Sequence, residues 1–398
     1  MRFHVLITAC ILFVSIGQWA MAELTLNKEE KTYKGYTLYT ATEKKVVLLD
    51  MQGNEVHFWP IPYPEYASLA IGANPKPLAN GNLLIHMHYD GRPGIAGAEA
   101  ITNTLVELNW QGEIVWEYYD PAFLKLHHDF QRKRNGNTVI LGSRERFDPD
   151  IAPHPLNDDI IREIDRFGNI VWEWSTIDHF DQLGFSPEGK AAIYNDDEIF
   201  IFHTNSLQVL PPSKYMRWYP CLQKGNILVS QRNTNKVFII DRTTGDIVWR
   251  LEALLGYPDG STPTIGQHDA QMIAVQNMDP QHIASQGNIL LFDNGGEGGY
   301  PKQTRSYSRV LEIDPVFGNV KLVYAHVTKS VDDFFSLFMS SAQRLANGNT
   351  LIVEAENRRI FEVTPEGEIV WEYMSPYSID IFRAYRVNST WVAGRLAE

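Results

Sequence analysis

The sequence predicts an all-β fold, a six-bladed β-propeller of four-stranded blades whose ring is closed by pairing of the N- and C-terminal strands. Two observations lead to this prediction. A Gly-x-Ile-Val-Trp segment recurs along the chain, and a Gly-Asn turn followed by an aliphatic run recurs between its copies. Four-stranded units repeated at intervals of about 40–50 residues are typical of propellers. Aromatic residues make up 12% of the chain, so a substantial core can form.

The Gly-x-Ile-Val-Trp segment ends each repeat. Each copy follows a turn flanked by an acidic residue, such as Asp165 before Gly168. An Asp or Asn with a turn glycine between β-branched runs indicates a β-hairpin, so we interpret the segment as the last strand of a blade. The six copies, of which the one at Gly318 is a weaker match, begin at Gly53, Gly112, Gly168, Gly245, Gly318 and Gly367.

The Gly-Asn turn marks the beginning of every copy after the first. One repeat is then a strand, this turn, two strands, a hairpin and a last strand. The turns begin at Gly81, Gly136, Gly225, Gly287 and Gly348. The predicted blades span residues 36–60, 75–119, 127–175, 203–251, 268–326 and 340–373. The first blade is one strand short, and we expect the C-terminal segment 380–387 to supply that strand.

The N-terminal 22 residues have the features of a secretory signal peptide. Arg2 is followed by an apolar run over 5–16 and by a small-residue cleavage site at 20–22. We therefore predict a signal peptide at 1–22, one propeller domain at 23–398, and a periplasmic or secreted protein. The apolar run is shorter than the roughly 20 residues that a spanning helix needs, so no membrane span is expected after cleavage. A retained N-terminal anchor is the alternative.

The composition narrows the range of partners. The formal net charge is −13, which disfavours nucleic acid and anionic membranes as partners. Cys10 lies in the predicted signal peptide, so Cys221 is the remaining cysteine and the mature chain cannot form an internal disulfide. We interpret Cys221 as a small buried apolar residue.

Histidines recur at one place in several repeats, ahead of the Gly-Asn turn. His128 and His268 are each followed by an aspartate of structural or orienting role, and His203 stands in a third repeat. Because the innermost strand of a blade lines the central channel, we expect the three imidazoles to approach the channel from the same end. The last blade has Ser340 here, so folding does not require a histidine. Side chains alternate along a strand, so only one of His127 and His128 should face the channel, and we favour His128.

A second set of polar residues lies at one fixed distance beyond the Gly-Asn turns. These are His88, Arg232 and Asn294, whereas the last blade has Ala355. A guanidinium on the inner wall of the channel would offer planar, permanently charged donors to an oxyanion. We therefore predict that Arg232 binds an anion.

Together these segments resemble the bacterial arylsulfate sulfotransferases. The likeness is clear over blades 3 to 6 and reaches the first two blades only through the repeat. Family members are six-bladed propellers exported to the periplasm, and the resemblance implies the same fold and location. The matching stretches are His128-Asp129, His203-Thr204-Asn205-Ser206, Ser230-Gln231-Arg232, His268-Asp269-Ala270-Gln271 and Phe292-Asp293-Asn294-Gly295, with Ser308-Arg309-Val310 and Tyr385-Arg386 also similar.

The resemblance implies a transferase that moves a sulfuryl group from a phenolic sulfate ester to a phenol by a ping-pong mechanism. His268 matches the family's nucleophile, which carries the group as a sulfohistidine. His128, His203 and Arg232 match the residues that bind the sulfuryl oxygens. The further residues that we predict to bind substrate are His127, Asn205, Asn294 and His88.

The resemblance implies no nucleotide sulfate donor, and the sequence has no Gly-x-x-x-x-Gly-Lys-Ser/Thr phosphate loop. We predict no cofactor and assign no metal ligands, and whether a metal is bound stays open. Some family members have an extra N-terminal domain that often assists dimerisation, and some join two cysteines in a disulfide. We expect this chain to lack both, so a homodimer and a monomer both stay open.

Two other functions are compatible with the same residues. A histidine cluster could bind zinc in a metal-dependent hydrolase or lyase. A propeller without catalytic activity could instead bind an anion or a glycan in the same funnel. A sulfatase is disfavoured because the sequence has no Cys/Ser-x-Pro-x-Arg segment for making formylglycine.

Overall fold

Six antiparallel sheets are arranged in a ring, each forming one blade of a β-propeller. The structure is a computed structural model that describes residues 23–62, 67–69, 73–89, 102–120, 125–251, 264–274, 280–326 and 333–396. The predicted signal peptide at 1–22 lies outside these residues. The innermost strands of successive blades contact each other around the channel. The predicted six-bladed, four-stranded architecture is confirmed.

In each of the first three blades the strands succeed one another from the channel outwards. Blade 1 consists of Ala384–Val387, Tyr36–Thr42, Lys45–Leu49 and Glu55–Pro60. In blade 2, Ala67–Leu69 and Lys76–Pro77 both pair with Leu83–Tyr89, followed by Thr102–Leu108 and Ile114–Tyr119. Blade 3 consists of Lys125–Arg132, Thr138–Arg146, Leu156–Ile164 and Ile170–Ser175.

The other three blades follow the same plan. Blade 4 consists of Thr204–Val209, Ile227–Gln231, Lys236–Ile240 and Ile247–Arg250. Blade 5 consists of His268–Met272, Ile289–Asp293, Arg309–Ile313 and Val320–Tyr324, and a hairpin of Gly296–Gly298 and Gln303–Arg305 projects from it. Blade 6 consists of Ser341–Arg344, Thr350–Glu354, Arg359–Val363 and Ile369–Met374, with Glu23–Asn27 added at its outer edge. The short helices are Ile177–Leu183, Pro187–Tyr194, Pro220–Leu222, Pro280–Ser285 and Ser389–Val392.

Both chain ends take part in closing the ring. The C-terminal strand Ala384–Val387 pairs with Tyr36–Thr42 and supplies the strand that the first repeat lacks. The N-terminal strand Glu23–Asn27 pairs with Ile369–Met374. The ring is therefore closed twice, at the inner edge of blade 1 and at the outer edge of blade 6, which confirms the predicted pairing of the terminal strands.

The two residues of the Gly-Asn turn have different structural roles. Gly136 has φ 90°, a conformation that glycine adopts without steric penalty. The side-chain Nδ2 of Asn137 donates a hydrogen bond to Oε1 of Glu163 in the third strand, at 2.7 Å. The equivalent bonds in other blades join Asn82 to Glu107, Asn288 to Glu312 and Asn349 to Glu362.

Tryptophans of the outermost strands hold neighbouring blades together. The indole Nε1 of Trp116 donates to the carbonyl oxygen of Arg166 in the next blade, at 2.9 Å. The same bond from Trp371 to Met51, at 3.0 Å, joins blade 6 to blade 1. The others run from Trp59 to Asn109, from Trp174 to Gly245 and from Trp249 to Pro315. The recurring tryptophan of the sequence makes this bond at Trp116, Trp249 and Trp371, and a tryptophan two residues further along makes it at Trp59 and Trp174.

Glutamines make a comparable connection between the innermost strands. Gln208 accepts from the backbone N–H of Met272 at 2.7 Å and donates to its carbonyl oxygen at 3.3 Å. The other pairs are Gln131 with Val209, Gln271 with Ala342, and Gln343 with Arg386. The innermost strands are thereby fixed relative to one another, and these strands carry the candidate site.

Candidate active site

The backbone departs from regular strand geometry where the predicted histidines lie. The ladder register shifts in the innermost strands of blades 3, 4 and 5. At or beside these shifts, His128, His203 and Asp269 each have φ 53°. This left-handed conformation costs a non-glycine residue about 1–2 kcal/mol. Such strained backbone is concentrated at functional sites, and here it sets the direction of the imidazoles.

The histidines of blades 3 and 4 form one cluster. The rings of His128 and His203 meet edge to face with centroids 5.1 Å apart. Nδ1 of His127 lies 2.8 Å from Nδ1 of His128, and its Nε2 lies 3.5 Å from Oδ1 of Asp159. The alternation that we used to separate His127 from His128 fails here because the bulge interrupts it. Both rings therefore belong to the cluster.

His268 begins the innermost strand of blade 5, and only 2% of it is exposed. Its Nδ1 lies 2.8 Å from Oδ1 of Asn294 and 3.0 Å from the carbonyl oxygen of Gly266. Both partners accept hydrogen bonds, so Nδ1 carries the proton. Nε2 then has a lone pair, to which the backbone N–H of Met339 donates at 3.2 Å. The ring is held with its unprotonated nitrogen at Nε2.

Arg232 follows the second strand of blade 4. Its backbone N–H donates to the carbonyl oxygen of His203 at 3.0 Å. Nη1 donates to Oδ1 of Asn233 at 2.8 Å, and Nη2 donates to the carbonyl oxygen of Leu337 at 3.3 Å. Among the described residues, Nε has no hydrogen-bond partner. A permanently charged guanidinium is thus held beside the imidazoles.

Burial keeps the imidazoles of His128, His203 and His268 neutral. It lowers the pKa of His268 to about 3 and, against the opposing charge of Asp159, that of His203 to about 4. Burial also lowers the pKa of His128 well below its usual value. The charge of Arg232 further lowers the pKa of His268 and of His203. The neighbouring His203 and His268 in turn lower the pKa of His128. Arg232 and His268 both bond the segment 337–339, and neutral imidazoles can act as nucleophiles or bases.

Asn205 and His88, two of the residues predicted to bind substrate, make no hydrogen bond or ring contact with the clustered imidazoles among the described residues. Asn205 is buried, and its Nδ2 donates to the carbonyl oxygen of Gln267 at 2.7 Å, while Oδ1 lacks a partner within the described part of the chain. His88 lies in the second strand of blade 2, where burial lowers its pKa. No hydrogen bond or ring contact within the described ranges joins His88 to the cluster, so its role stays a prediction.

An ion network that the sequence analysis missed lies next to the histidines. Nη1 of Arg383 donates to Oδ2 of Asp129 at 3.0 Å, and its Nε lies 3.2 Å from Oδ1 of Asp269. Nζ of Lys76 lies 2.6 Å from Oδ1 of Asp129. Burial raises the pKa of Asp269 to about 6. Against the effect of burial, the charges of Arg383 and Lys76 lower the pKa of Asp129.

The ion network also borders a cavity. The charged side chains line this cavity of about 300 Å³, which none of the clustered imidazoles borders. The two aspartates that follow His128 and His268 in the chain bond Arg383, and their structural or orienting role stays a prediction. Arg383, which completes the network, precedes the closing strand and belongs to no motif that the sequence shows.

Neither a metal centre nor a membrane span is found in the part of the chain that the structure covers. Its His, Cys, Asp and Glu side chains form no group of three or more that could hold a metal ion. None of its helices is long and apolar enough to cross a membrane.

A propeller that gathers neutral imidazoles and a guanidinium from neighbouring blades defines a class of protein suited to holding a small oxyanion and reacting with it. The chain belongs to the arylsulfotransferase (ASST) family, whose model matches residues 78–376. This match confirms the resemblance seen in the sequence, and it implies arylsulfotransferase activity and aryl substrates. No curated protein matches the chain.

Several solved structures have a similar overall fold. A protein of unknown function from Bacteroides caccae is 12% identical over 88% of this chain and 98% of its own, with a TM-score of 0.49. A streptogramin B lyase is 10% identical over 91% of this chain and 92% of its own, with a TM-score of 0.44. Apo AztD from Citrobacter koseri is 10% identical over 89% and 98%, with a TM-score of 0.41. These likenesses are too distant to bear on function.

Proposed function

We propose that this protein transfers a sulfuryl group from an aryl sulfate to a phenol in two steps, through a sulfohistidine at His268. The observation that carries the proposal is the neutral ring of His268, whose Nδ1 is engaged by two acceptors and whose Nε2 keeps a lone pair. Arg232 stands close enough to lower the pKa of this ring. A nucleophilic nitrogen beside a fixed positive charge suits attack on a group that carries oxyanions.

In the first step, Nε2 of His268 attacks the sulfur atom of the donor. The N–S bond forms as the bond between sulfur and the aryl oxygen breaks, and the bonding electrons leave on the phenolate. As in phosphoryl transfer, the charge is spread over equatorial oxygens, so positioning and electrostatic stabilisation dominate. Arg232 is the main proposed donor to these oxygens, with His128 and His203 beside it. The N–H of Met339 occupies the lone pair of Nε2, so attack requires this backbone to shift.

In the second step, the acceptor phenol gives its proton to a base and its oxygen attacks the sulfur of the sulfohistidine. The O–S bond forms as the N–S bond breaks, and the bonding electrons return to Nε2 of His268. Burial lowers the pKa of His128 and His203, so both are unprotonated at neutral pH. They suit the role of base toward the acceptor better than the role of acid toward the donor. The first step then depends on a leaving group that is stable as an anion. A phenol, with a pKa of about 10 by analogy with tyrosine, meets this need better than an alcohol.

We also propose that the protein is exported and acts in the periplasm or outside the cell. The sequence features of residues 1–22 support this proposal. Sequencing the N-terminus of the protein recovered from a periplasmic fraction should show Glu23 as the first residue. Recovery of the intact N-terminus from the membrane fraction would instead favour a retained anchor.

The transferase can be tested by incubating the protein with a chromogenic aryl sulfate, with and without an added phenol. We expect multiple turnovers that depend on the phenol. Double-reciprocal plots of initial rate against donor concentration should give parallel lines at different acceptor concentrations. A chelator should leave the rate unchanged, and His268→Ala should abolish it. Equal release with and without phenol would indicate a hydrolase, and binding of the ester without any release would indicate an anion-binding propeller.

A further inference from the structure

We propose that Asn294 is a positioning residue that holds His268 as its Nδ1–H tautomer, so that Nε2 is the atom that takes the sulfuryl group. The inference rests on the proposed function. It assigns Asn294 a role different from the substrate contact expected from the sequence, because both polar ends of its side chain already have partners in the protein.

The orientation of the Asn294 amide is determined by its surroundings. The side chain is buried, and Nδ2 donates to the carbonyl oxygens of Ser336 at 2.8 Å and Met339 at 3.1 Å. Carbonyl oxygens can only accept hydrogen bonds, so the amide nitrogen must face them. The amide oxygen is left to face His268, and a flipped amide would bring oxygen against two carbonyl oxygens. The loop at 336–339 therefore fixes which end of Asn294 meets the imidazole.

This orientation decides where the imidazole proton resides. Oδ1 of Asn294 lies 2.8 Å from Nδ1 of His268, and the carbonyl oxygen of Gly266 lies 3.0 Å from the same nitrogen. Two acceptors at Nδ1 require a proton there, which leaves the lone pair of the neutral ring on Nε2. The wrong tautomer would have its lone pair at Nδ1, facing two oxygen atoms and unable to reach a substrate.

The same hydrogen bond assists the covalent step. As Nε2 forms a bond to sulfur and the aryl oxygen departs with its electrons, the imidazole ring becomes more positive. The proton on Nδ1 stays in place, and its hydrogen bond to Asn294 strengthens because the donor gains positive charge. The amide thus stabilises the sulfated ring without exchanging a proton.

The test combines a spectrum of the ring with a rate. In long-range ¹H–¹⁵N NMR spectra, a His268→Gln variant identifies the signals of His268. We expect the Nδ1–H pattern in the wild-type protein and a mixture with the Nε2–H tautomer in Asn294→Ala. In Asn294→Asp, the added carboxylate should favour the imidazolium form, so the ring should become protonated at a higher pH than in the wild-type protein.

Rates measured with aryl sulfate alone should follow the state of the ring. Loss of the correct tautomer lowers turnover by about 10⁴-fold in a serine protease triad, so we expect a fall of about 10²–10⁴-fold in the rate of phenol release for Asn294→Ala. KM should change little, whereas a residue that binds substrate would mainly raise KM. The acid limb of the pH profile should move to higher pH in Asn294→Asp.

Asn349→Ala provides a matched control, because Asn349 is also buried and bonded through Nδ2, to Glu362 at 2.6 Å. It should leave the His268 signals and the rate unchanged. An unchanged Nδ1–H signal in Asn294→Ala would overturn the positioning role even if the wild-type protein transfers sulfuryl groups. A tautomer change in that variant would support the positioning role even if the wild-type protein showed no transfer, which would refute the proposed function instead.

Discussion

The imidazole rings of His128 and His203 meet edge to face with their centroids 5.1 Å apart. His128 comes from the bulged innermost strand of blade 3, and His203 immediately precedes that of blade 4. The backbone N–H of Arg232 donates to the carbonyl oxygen of His203, which brings the guanidinium to the same place. The candidate site is therefore built from side chains of neighbouring blades that occupy similar positions in the repeat.

Replacing Arg232 with alanine should lower kcat by about 10²–10³-fold, the usual effect of removing one donor to a developing oxyanion. The fold should survive, because the two side-chain bonds of Arg232 go to Asn233 and to a single carbonyl oxygen. Arg232→Lys keeps the charge but loses the planar donors, so its activity should be intermediate. Steady-state assays and circular dichroism check this expectation.

The control for this experiment is Arg144→Ala, which removes a half-exposed partner of Glu173 at 3.2 Å. It should keep wild-type activity, since such surface pairs contribute at most about 1 kcal/mol to stability. Full activity in Arg232→Ala would contradict the assigned role of the guanidinium.

The release of phenol in the first step should persist at acidic pH. In the proposed mechanism His268 reacts in its unprotonated form, and burial lowers its pKa to about 3. A lowered pKa extends the range of the unprotonated form toward acid, so most of the rings remain unprotonated at pH 5. Single-turnover release measured between about pH 4.5 and 8 checks this, with tryptophan fluorescence to show that the protein stays folded. A midpoint near the ordinary value of about 6.5 in folded protein would contradict it.

The first step should become faster as the pKa of the leaving phenol falls. The imidazoles of His128 and His203 are neutral because burial lowers their pKa, so neither of these two rings can protonate the departing oxygen. The phenolate must carry the developing negative charge itself. A series of substituted phenyl sulfates, with kcat/KM plotted against the pKa of each phenol, measures this dependence. A flat plot with chemistry rate-limiting would reveal a proton donor at the leaving oxygen.

Replacing Arg383 with methionine should destabilise the fold by about 3–5 kcal/mol, because breaking a buried pair leaves a charge without compensation. Arg383 bonds Asp129 at 3.0 Å and lies 3.2 Å from Asp269, and all three are buried. Urea unfolding followed by tryptophan fluorescence measures the free energy of unfolding. Arg383→Lys should lose less, since it retains the charge. A stability of Arg383→Met equal to that of the wild-type protein would show that the network contributes nothing.

The blade architecture could be predicted from the sequence because its recurring residues perform recurring contacts. Gly136 is required by a turn with positive φ, and Asn137 makes the hydrogen bond to Glu163. Trp116 donates a hydrogen bond to the next blade. Each requirement recurs in most blades, so it leaves a periodic signal. The glutamine contacts also recur, three positions beyond His128 and His268, and this spacing could have revealed them.

The candidate site was predictable in its residues but not in its geometry. The phase of the repeat pointed to His128, His203 and His268, yet the bulge that places His127 against His128 leaves no periodic signal. The roles of Arg383 and of the Met339 backbone depend on contacts between distant parts of the chain. Such contacts follow from packing, which a single sequence does not display.

The most direct test of the central claim is mass spectrometry of protein quenched after reaction with aryl sulfate alone. Without an acceptor the sulfuryl group should stay on the enzyme, and the account predicts one added SO₃ on the peptide that contains His268. Addition of a phenol before quenching should remove it. Protein that turns over but carries no sulfated peptide, or carries the group on a different residue, would contradict the account.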